Sequence, residues 1–308
     1  MSQPLVSIII PSYNQGKFIR ETIQSCLDQD YWPIEIIVQD GASSDETVEV
    51  LKSFNAPELF WQSEPDKGVV DAVNLGISRA RGDILTIQSS DDVFLPGAIS
   101  AAVVALQQNP QAGLVYGDVK HIDADSSVTG EDVQGDLDLA GYLGRFMYIP
   151  QPGTCFTRAA LEGSMGWRAA YSYAADADFW MRIVTRFPTC KLHRFVAAYR
   201  YHPDQRDTQK ARIARDWEGA ITDLLAGARL NARERRYARM GIHLAKYRYA
   251  PESDWGYRTR ELYAALLANP FAIFDRRFPK RDLFPGRTPI WAMLSRIKRA
   301  LGFKPRTS

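Results

Sequence analysis

Cysteine is scarce in this sequence: Cys26, Cys155 and Cys190 are odd in number, far apart and without metal-ligand spacing. That argues against a disulfide framework and a zinc cluster, and predicts a reducing compartment. Long apolar runs are missing too. No stretch approaches the ~18–20 consecutive apolar residues of a membrane span. The opening MSQPLVSIIIPSYN carries no basic leader, and its apolar run is too short for a signal peptide. There is no internal repeat, and no glycine-rich triphosphate loop near the N-terminus, which speaks against a nucleotidyltransferase. The expected location is the cytoplasm, or a peripheral position on the inner face of the cell membrane.

What remains is ordinary globular material: 308 residues, 45% hydrophobic and 24% charged. That is enough chain for one large domain, or for a domain with an appendage. The net charge of +2 conceals a division. Residues 1–208 hold 16 Lys+Arg against 27 Asp+Glu, a balance of −11, whereas residues 209–308 hold 22 against 9, a balance of +13. The division predicts two units, 1–208 and a basic, mainly helical extension 209–308, with the basic part facing something anionic.

The first 120 residues alternate strand and helix signals. Strands are predicted at VSIII (6–10), IEIIVQD (34–40), LFWQS (59–63), DILTIQSS (83–90) and GLVYGDVK (113–120). Between them, residues 16–29, a segment from about Asp45, residues 69–80 and residues 97–108 read as helices. This predicts an α/β fold with a mostly parallel sheet covered on both faces. Residues 121–150, rich in Asp, Gly and Ser, read as a connecting segment. YAADADFWMRIVTRFP (173–188) reads as a helix and FVAAYRYHPDQRDTQ (195–209) as a strand leading into a polar loop. Beyond it helices are expected, broken near Pro251, Pro270, Pro279 and Pro285.

Ligands of such sheets bind outside the carboxyl ends of the strands. PSYN follows the first strand, Asp40 ends the second, and Asp91-Asp92 end the fourth, so polar residues converge on one edge. Two adjacent carboxylates repel one another and make poor structural glue. Their presence at a strand end points to a divalent cation, the alternative being a helix cap that needs one of the two.

The stretches VSIIIPSYNQGKFIRETIQSCLDQ, EIIVQDGASSDETVEVL, SEPDKGVVDAVNLGISRARGDILTIQSSDD and DADFWMRI occur in this order. Together they resemble the family 2 glycosyltransferases, inverting enzymes of the Rossmann-like GT-A fold that use nucleotide sugars. The resemblance covers roughly residues 4–205. It implies that Pro11, Ser12, Tyr13 and Asn14 hold the nucleoside, the Tyr13 ring lying against the base. It implies that Asp40 accepts a hydrogen bond from the base, typically the uracil imide, while Asp45 reads from its position before a helix as a cap. Lys67, Asp71 and Asn74 would line the nucleotide-sugar pocket; Lys67 reads equally as a phosphate contact or a solvated lysine, and Asn74 equally as a helix-to-loop tie.

The family's metal motif reads Asp-X-Asp, often followed by a further Asp. Here Ser89 stands in the first acidic position, followed by Ser90, Asp91 and Asp92. The resemblance makes Asp91 the ligand of Mn²⁺ or Mg²⁺, with Ser90 and Asp92 beside the donor and the donor diphosphate completing the shell. His202 would be a further metal ligand, a phosphate donor or an ordinary loop residue. Asp176 matches the catalytic base, with Ala175 where relatives often carry Glu. Gln151 and Pro152 match the acceptor side, and Asp178 reads as structural or acceptor-contacting.

In the tail, Ile290, Leu294, Ile297 and Leu301 recur at helical spacing among Arg296, Lys298, Arg299 and Lys304. That pattern describes either an interfacial helix on an anionic membrane surface or a helix packed on the catalytic domain. No nucleic-acid motif accompanies the charge. The expectation is an inverting glycosyltransferase that moves a sugar, most simply from a UDP-sugar, to a glycan or lipid-linked glycan. The alternative is a non-catalytic nucleotide-sugar-binding scaffold in a polysaccharide assembly complex.

Overall fold

The computed structural model describes residues 3–203, 205 and 209–283. Its first half is a run of strands and helices: β1 (Val6–Ser12), α1 (Gly16–Leu27), β2 (Ile34–Asp40), α2 (Thr47–Lys52), β3 (Leu59–Ser63), α3 (Val69–Arg79) and β4 (Ile84–Ile87). Then come the two-residue β5 (Val93–Phe94), α4 (Ala98–Gln108), β6 (Leu114–Ile122), β7 (Val128–Asp132), α5 (Leu139–Leu143), β8 (Cys155–Thr157), α6 (Arg158–Ser164), α7 (Ala175–Val184) and β9 (Thr189–Arg200). The strands form one sheet in the order β3-β2-β1-β4-β8-β6-β9-β5, with β7 paired to β6. β3, β2, β1 and β4 are mutually parallel, as are β6 and β9. β8 runs antiparallel to both β4 and β6, while β5 and β7 run antiparallel to β9 and β6.

The continuous apolar runs of β1 and β2 are what a strand covered on both faces requires. Successive side chains alternate between the faces. Ile9, Ile37, Leu85 and Ile87 enter one core with Val73 of α3 and Phe179 of α7. Ile8, Ile10, Ile36 and Val38 enter the other with Ile19 and Ile23 of α1 and Ile99 of α4. Ser12 of β1 pairs with Asp40 of β2, and Asp40 with Ser63 of β3. The register therefore sets these polar termini side by side at one edge.

Two expectations are corrected. α2 begins at Thr47 rather than Asp45: one Asp45 oxygen accepts from the Thr47 N–H (3.0 Å) and the other from the Gly16 N–H (2.9 Å), joining the starts of α1 and α2. Residues 121–150 are not merely a connector. β6 continues to Ile122, β7 returns against it, and α5 buries Tyr142 and Leu143 in the main core. Their polar composition belongs to the turn, where the Asp123 carboxylate accepts from the Asp125 and Ser127 N–H groups.

Three helices follow: α8 (Lys210–Gly227), α9 (Ala232–Tyr249) and α10 (Trp255–Ala268). α9 starts with a capping box between Asn231 and Glu234. Gly241 lets it approach α5, since a Cβ there would stand 1.9 Å from the Leu143 carbonyl oxygen. Trp217, Ile221, Leu224 and Ala245 share one apolar cluster with Leu114, Phe156 and Trp180. The change of charge near residue 208 is thus not a packing boundary. Helices end beside Pro251 and Pro270 as expected. Pro285 and the amphipathic 290–301 segment lie outside the described residues. No helix among the described residues is long and apolar enough to cross a membrane.

Candidate active site

The adjacent carboxylates Asp91 and Asp92 sit in the turn between β4 and β5, and they part company. β5 pairs with the last turn of β9, Val93 opposite Ala198, which brings the end of β9 over the turn. Asp92 points into the protein: one oxygen accepts from the Arg200 N–H at 2.8 Å, and the other is buried without a hydrogen-bond partner among the described residues. Burial first, and the charge of Asp91 second, push its pKa well above the usual carboxylate range. Asp91 turns the other way. Its Oδ2 lies 2.9 Å from Nε2 of His202, whose ring is buried against Phe18 at 4.7 Å between centroids.

The guanidinium of Arg200, fully buried, locks this arrangement. Nε donates to the Asp91 carbonyl (2.7 Å), Nη1 to the Asp123 carbonyl (3.0 Å) and Ser126 Oγ (2.8 Å), and Nη2 to Glu21 Oε2 (2.6 Å). Sequence reasoning did not single out Arg200. A lone Arg in YRYHP carries no local signal, because its four acceptors come from distant segments.

Ser89, which stands where an acid was expected, donates from Oγ to Gln151 Oε1 at 2.8 Å, and the Gln151 amide donates to the Ile87 carbonyl. Gln151, expected on the acceptor side, is thus tied to the carboxylate turn, and Pro152 beside it is buried. Ser90 is buried, its carbonyl accepting from Thr22 Oγ1 at 3.0 Å.

A second group gathers at the ends of β1, β2 and β3. Asp40 is fully buried, and Oδ2 accepts from the Ser43 N–H (2.9 Å) and Ser63 Oγ (2.6 Å). Asn14, in the left-handed region with φ 51°, receives the Ser44 N–H on its side-chain oxygen (2.9 Å) and gives its own N–H to Ser43 Oγ (2.7 Å). Ser12 Oγ is buried without a hydrogen-bond partner among the described residues, and Pro11 is half-buried. Tyr13 is 61% exposed, leaving its ring open for stacking.

Two of the expected binding residues, Asp71 and Asn74, have structural duties. The Asp71 carboxylate accepts the Lys67 N–H at 3.0 Å, closing the start of α3, while Lys67 itself is exposed. Asn74 gives and receives hydrogen bonds with the Trp167 backbone (2.9 and 3.0 Å), tying α3 to the turn after α6. Of its two readings, the helix-to-loop tie is what the geometry shows, and both ends of the amide are engaged in it.

Asp176 lies in the first turn of α7. Burial chiefly raises its pKa; the Ala177 N–H and the Arg145 charge oppose that, and Asp178 adds to it. No hydrogen bond or ion pair among the described residues links it to Asp91 or His202. Asp178, expected as structural or acceptor-contacting, takes the first role. It is 1% exposed, ion-paired at Oδ1 to Arg168, and accepts at Oδ2 from Arg168 Nε (3.0 Å) and from Arg182 Nε and Nη2 (3.1 and 2.8 Å). Four charge-assisted hydrogen bonds thus hold this carboxylate to the two arginines. Asp178→Asn would leave two partly buried guanidiniums facing a neutral amide, and urea unfolding is expected to show a loss of about 3 kcal/mol.

The sequence pattern of Glycosyl transferase family 2 matches residues 7–159. An uncharacterised glycosyltransferase of Mycobacterium tuberculosis is 32% identical over 185 residues, 59% of this chain and 69% of that protein. This chain belongs to glycosyltransferase family 2. A second member, the PGL/p-HBAD biosynthesis glycosyltransferase of Mycobacterium bovis, is 31% identical over 65% of this chain and 78% of its own length. The fold is that of the GT-A glycosyltransferases. Staphylococcus aureus TarS 1–349 in complex with UDP-GlcNAc superposes with a TM-score of 0.65 at 15% identity, covering 90% of this chain and 82% of TarS 1–349. The mannosyltransferase PcManGT of Pyrobaculum calidifontis, in complex with GDP-Man and Mn²⁺, gives 0.63 at 19% identity, covering 99% and 82%. As a family 2 glycosyltransferase, the chain is a glycosyl-transfer enzyme.

Proposed function

We propose that this chain is a metal-dependent, inverting glycosyltransferase. It would move a sugar from a nucleoside diphosphate donor, a UDP-sugar in the simplest case, to a hydroxyl of a glycan or lipid-linked glycan. The observation that carries this reading is the 2.9 Å approach of Asp91 Oδ2 to His202 Nε2. These residues stand 111 positions apart, and the buried Arg200 fixes the Asp91 backbone from beside His202 in the chain. The carboxylate oxygen suits Mn²⁺ or Mg²⁺, and the imidazole nitrogen favours Mn²⁺, the softer of the two. Two adjacent ligands of an octahedral ion at about 2.1 Å stand about 3 Å apart, so the pair fits the ion. The described residues hold no cluster of three such ligands, so the remaining positions of the ion would be filled by substrate oxygens and water. When bound, such an ion supplies positive charge against the departing diphosphate.

The chain's own residues do the rest. The exposed Tyr13 ring offers the base a stacking face, and Asp40 at the carboxyl end of β2 would accept from a base N–H in place of one of its present partners, Ser43 and Ser63. Asp176 accepts the proton of the acceptor hydroxyl as that oxygen bonds to the anomeric carbon. The bond from that carbon to the diphosphate breaks, the nucleoside diphosphate leaves, and attack from the opposite face inverts the configuration.

The direct test is a melting series with UDP-, GDP- and dTDP-sugars, with and without Mn²⁺. A ligand that binds the native state raises its melting temperature, by about 2.7 kcal/mol of added stability at a hundred times Kd. One nucleotide class should stabilise the protein in a Mn²⁺-dependent manner. Stabilisation by none of them removes the donor assignment.

A further inference from the structure

A groove of about 790 Å³ opens between the start of α8, the end of α9 and the start of α10. Five cations line it, Lys210, Arg212, Arg215, Arg248 and Arg258, against the single carboxylate of Glu252. Ion pairs elsewhere on these helices are ordinary: Lys246 with Glu218, His243 with Glu261, Arg260 with Glu261. Among the described residues none of the five groove cations is in an ion pair. Arg258 stacks over Tyr247 at 4.6 Å, and its Nε is buried without a hydrogen-bond partner. Arg212 Nη1 donates to Tyr173 Oη at 2.6 Å. Five like charges gathered against one carboxylate repel, and the fold tolerates this most readily where an anion arrives to neutralise them.

The groove is also electrostatically joined to the base. Arg145 donates to Tyr249 Oη at the groove wall and stacks over the same ring at 5.3 Å. Its charge acts on Arg248 on one side and on Asp176 on the other. Tyr173, the partner of Arg212, precedes Asp176 by three residues.

We propose that this groove binds a phosphoryl group of the acceptor, so that the acceptor hydroxyl is presented to Asp176 from an anionic molecule anchored between α8, α9 and α10. Guanidinium forks suit phosphoryl oxygens, and four of the five groove cations are arginines. The word acceptor rests on the glycosyl-transfer reading above; binding of the oxyanion does not.

The test is calorimetric titration of the full chain with inorganic pyrophosphate in EDTA, where no ion bridges pyrophosphate to Asp91. Wild type should bind, and Arg215→Gln/Arg248→Gln should weaken binding at least tenfold. Arg215→Lys/Arg248→Lys should stay within about threefold of wild type, which separates loss of charge from loss of fold. Asp91→Ala should bind pyrophosphate as wild type does. Absence of binding by wild type, equal binding by the double Gln variant, or loss in Asp91→Ala overturns the proposal.

Sedimentation with phosphatidylcholine vesicles, with and without phosphatidic acid, identifies the source of the phosphoryl group. Phosphatidic-acid-dependent pelleting that the double Gln variant loses assigns it to a lipid headgroup. Pyrophosphate binding without pelleting assigns it to a phosphorylated glycan. Either outcome supports the groove. Mn²⁺-dependent stabilisation by a nucleotide sugar, measured on the same samples, decides the glycosyl-transfer reading separately, since it should survive in the double Gln variant.

Discussion

Asp176→Asn is expected to lower kcat by about 10²–10⁴-fold, the usual worth of a positioned general base, while Mn²⁺-dependent stabilisation by the donor stays at the wild-type level. The amide keeps the shape of the side chain and removes its ability to take a proton. The pH dependence carries a second signature. Burial raises the pKa of Asp176, so the charged, proton-accepting form appears above the ordinary aspartate value of about 3.9. Wild-type kcat/KM should therefore rise with pH through that raised pKa, and Asp176→Asn should show no such limb. Stability moves the opposite way. A carboxyl with a higher pKa in the folded chain contributes fully at low pH and loses that contribution as pH rises through the folded pKa. The Asn variant should thus equal or exceed wild type in melting temperature at neutral pH and converge with it in acid. Unchanged transfer by Asp176→Asn would remove the base assignment.

The second large effect is expected at Asp91. Asp91→Ala should abolish Mn²⁺-dependent stabilisation by the nucleotide sugar and reduce transfer by about 10²–10³-fold, as for other losses of a charge-stabilising partner. His202→Ala should act in the same direction with a smaller loss, since the carboxylate remains. Both measurements belong on protein whose circular dichroism melt is intact, because Arg200 joins the Asp91 carbonyl to Asp123, Ser126 and Glu21. If Asp91→Ala kept metal-dependent donor binding, the metal ligand would have to be sought elsewhere.

These expectations grow from two different sources of information. The apolar runs of β1, β2 and β4, the helical periodicity of α1, α3 and α4 and the acids at strand ends are local, and period and composition suffice to read them. So is the resemblance, since its motifs are contiguous stretches matched in order. What composition obscured was short buried structure inside polar sequence: β7 and α5 hide within residues 121–150 because a five-residue element has too few positions to display a period.

By itself the sequence determined the sheet's parallel half, the order of its elements and the edge at which polar residues gather, because backbone alternation and burial on two faces leave few other arrangements. Tertiary structure alone decided which of those polar residues are at liberty. It turned Asp91 toward His202 and Asp92 inward, gave Asn74 to Trp167 and Asp178 to two arginines, and collected cations from three helices into one groove. Hydrogen-bond partners a hundred residues apart leave no trace in local pattern. Desolvation, which sets the raised pKa of Asp176, exists only once the chain has closed around it.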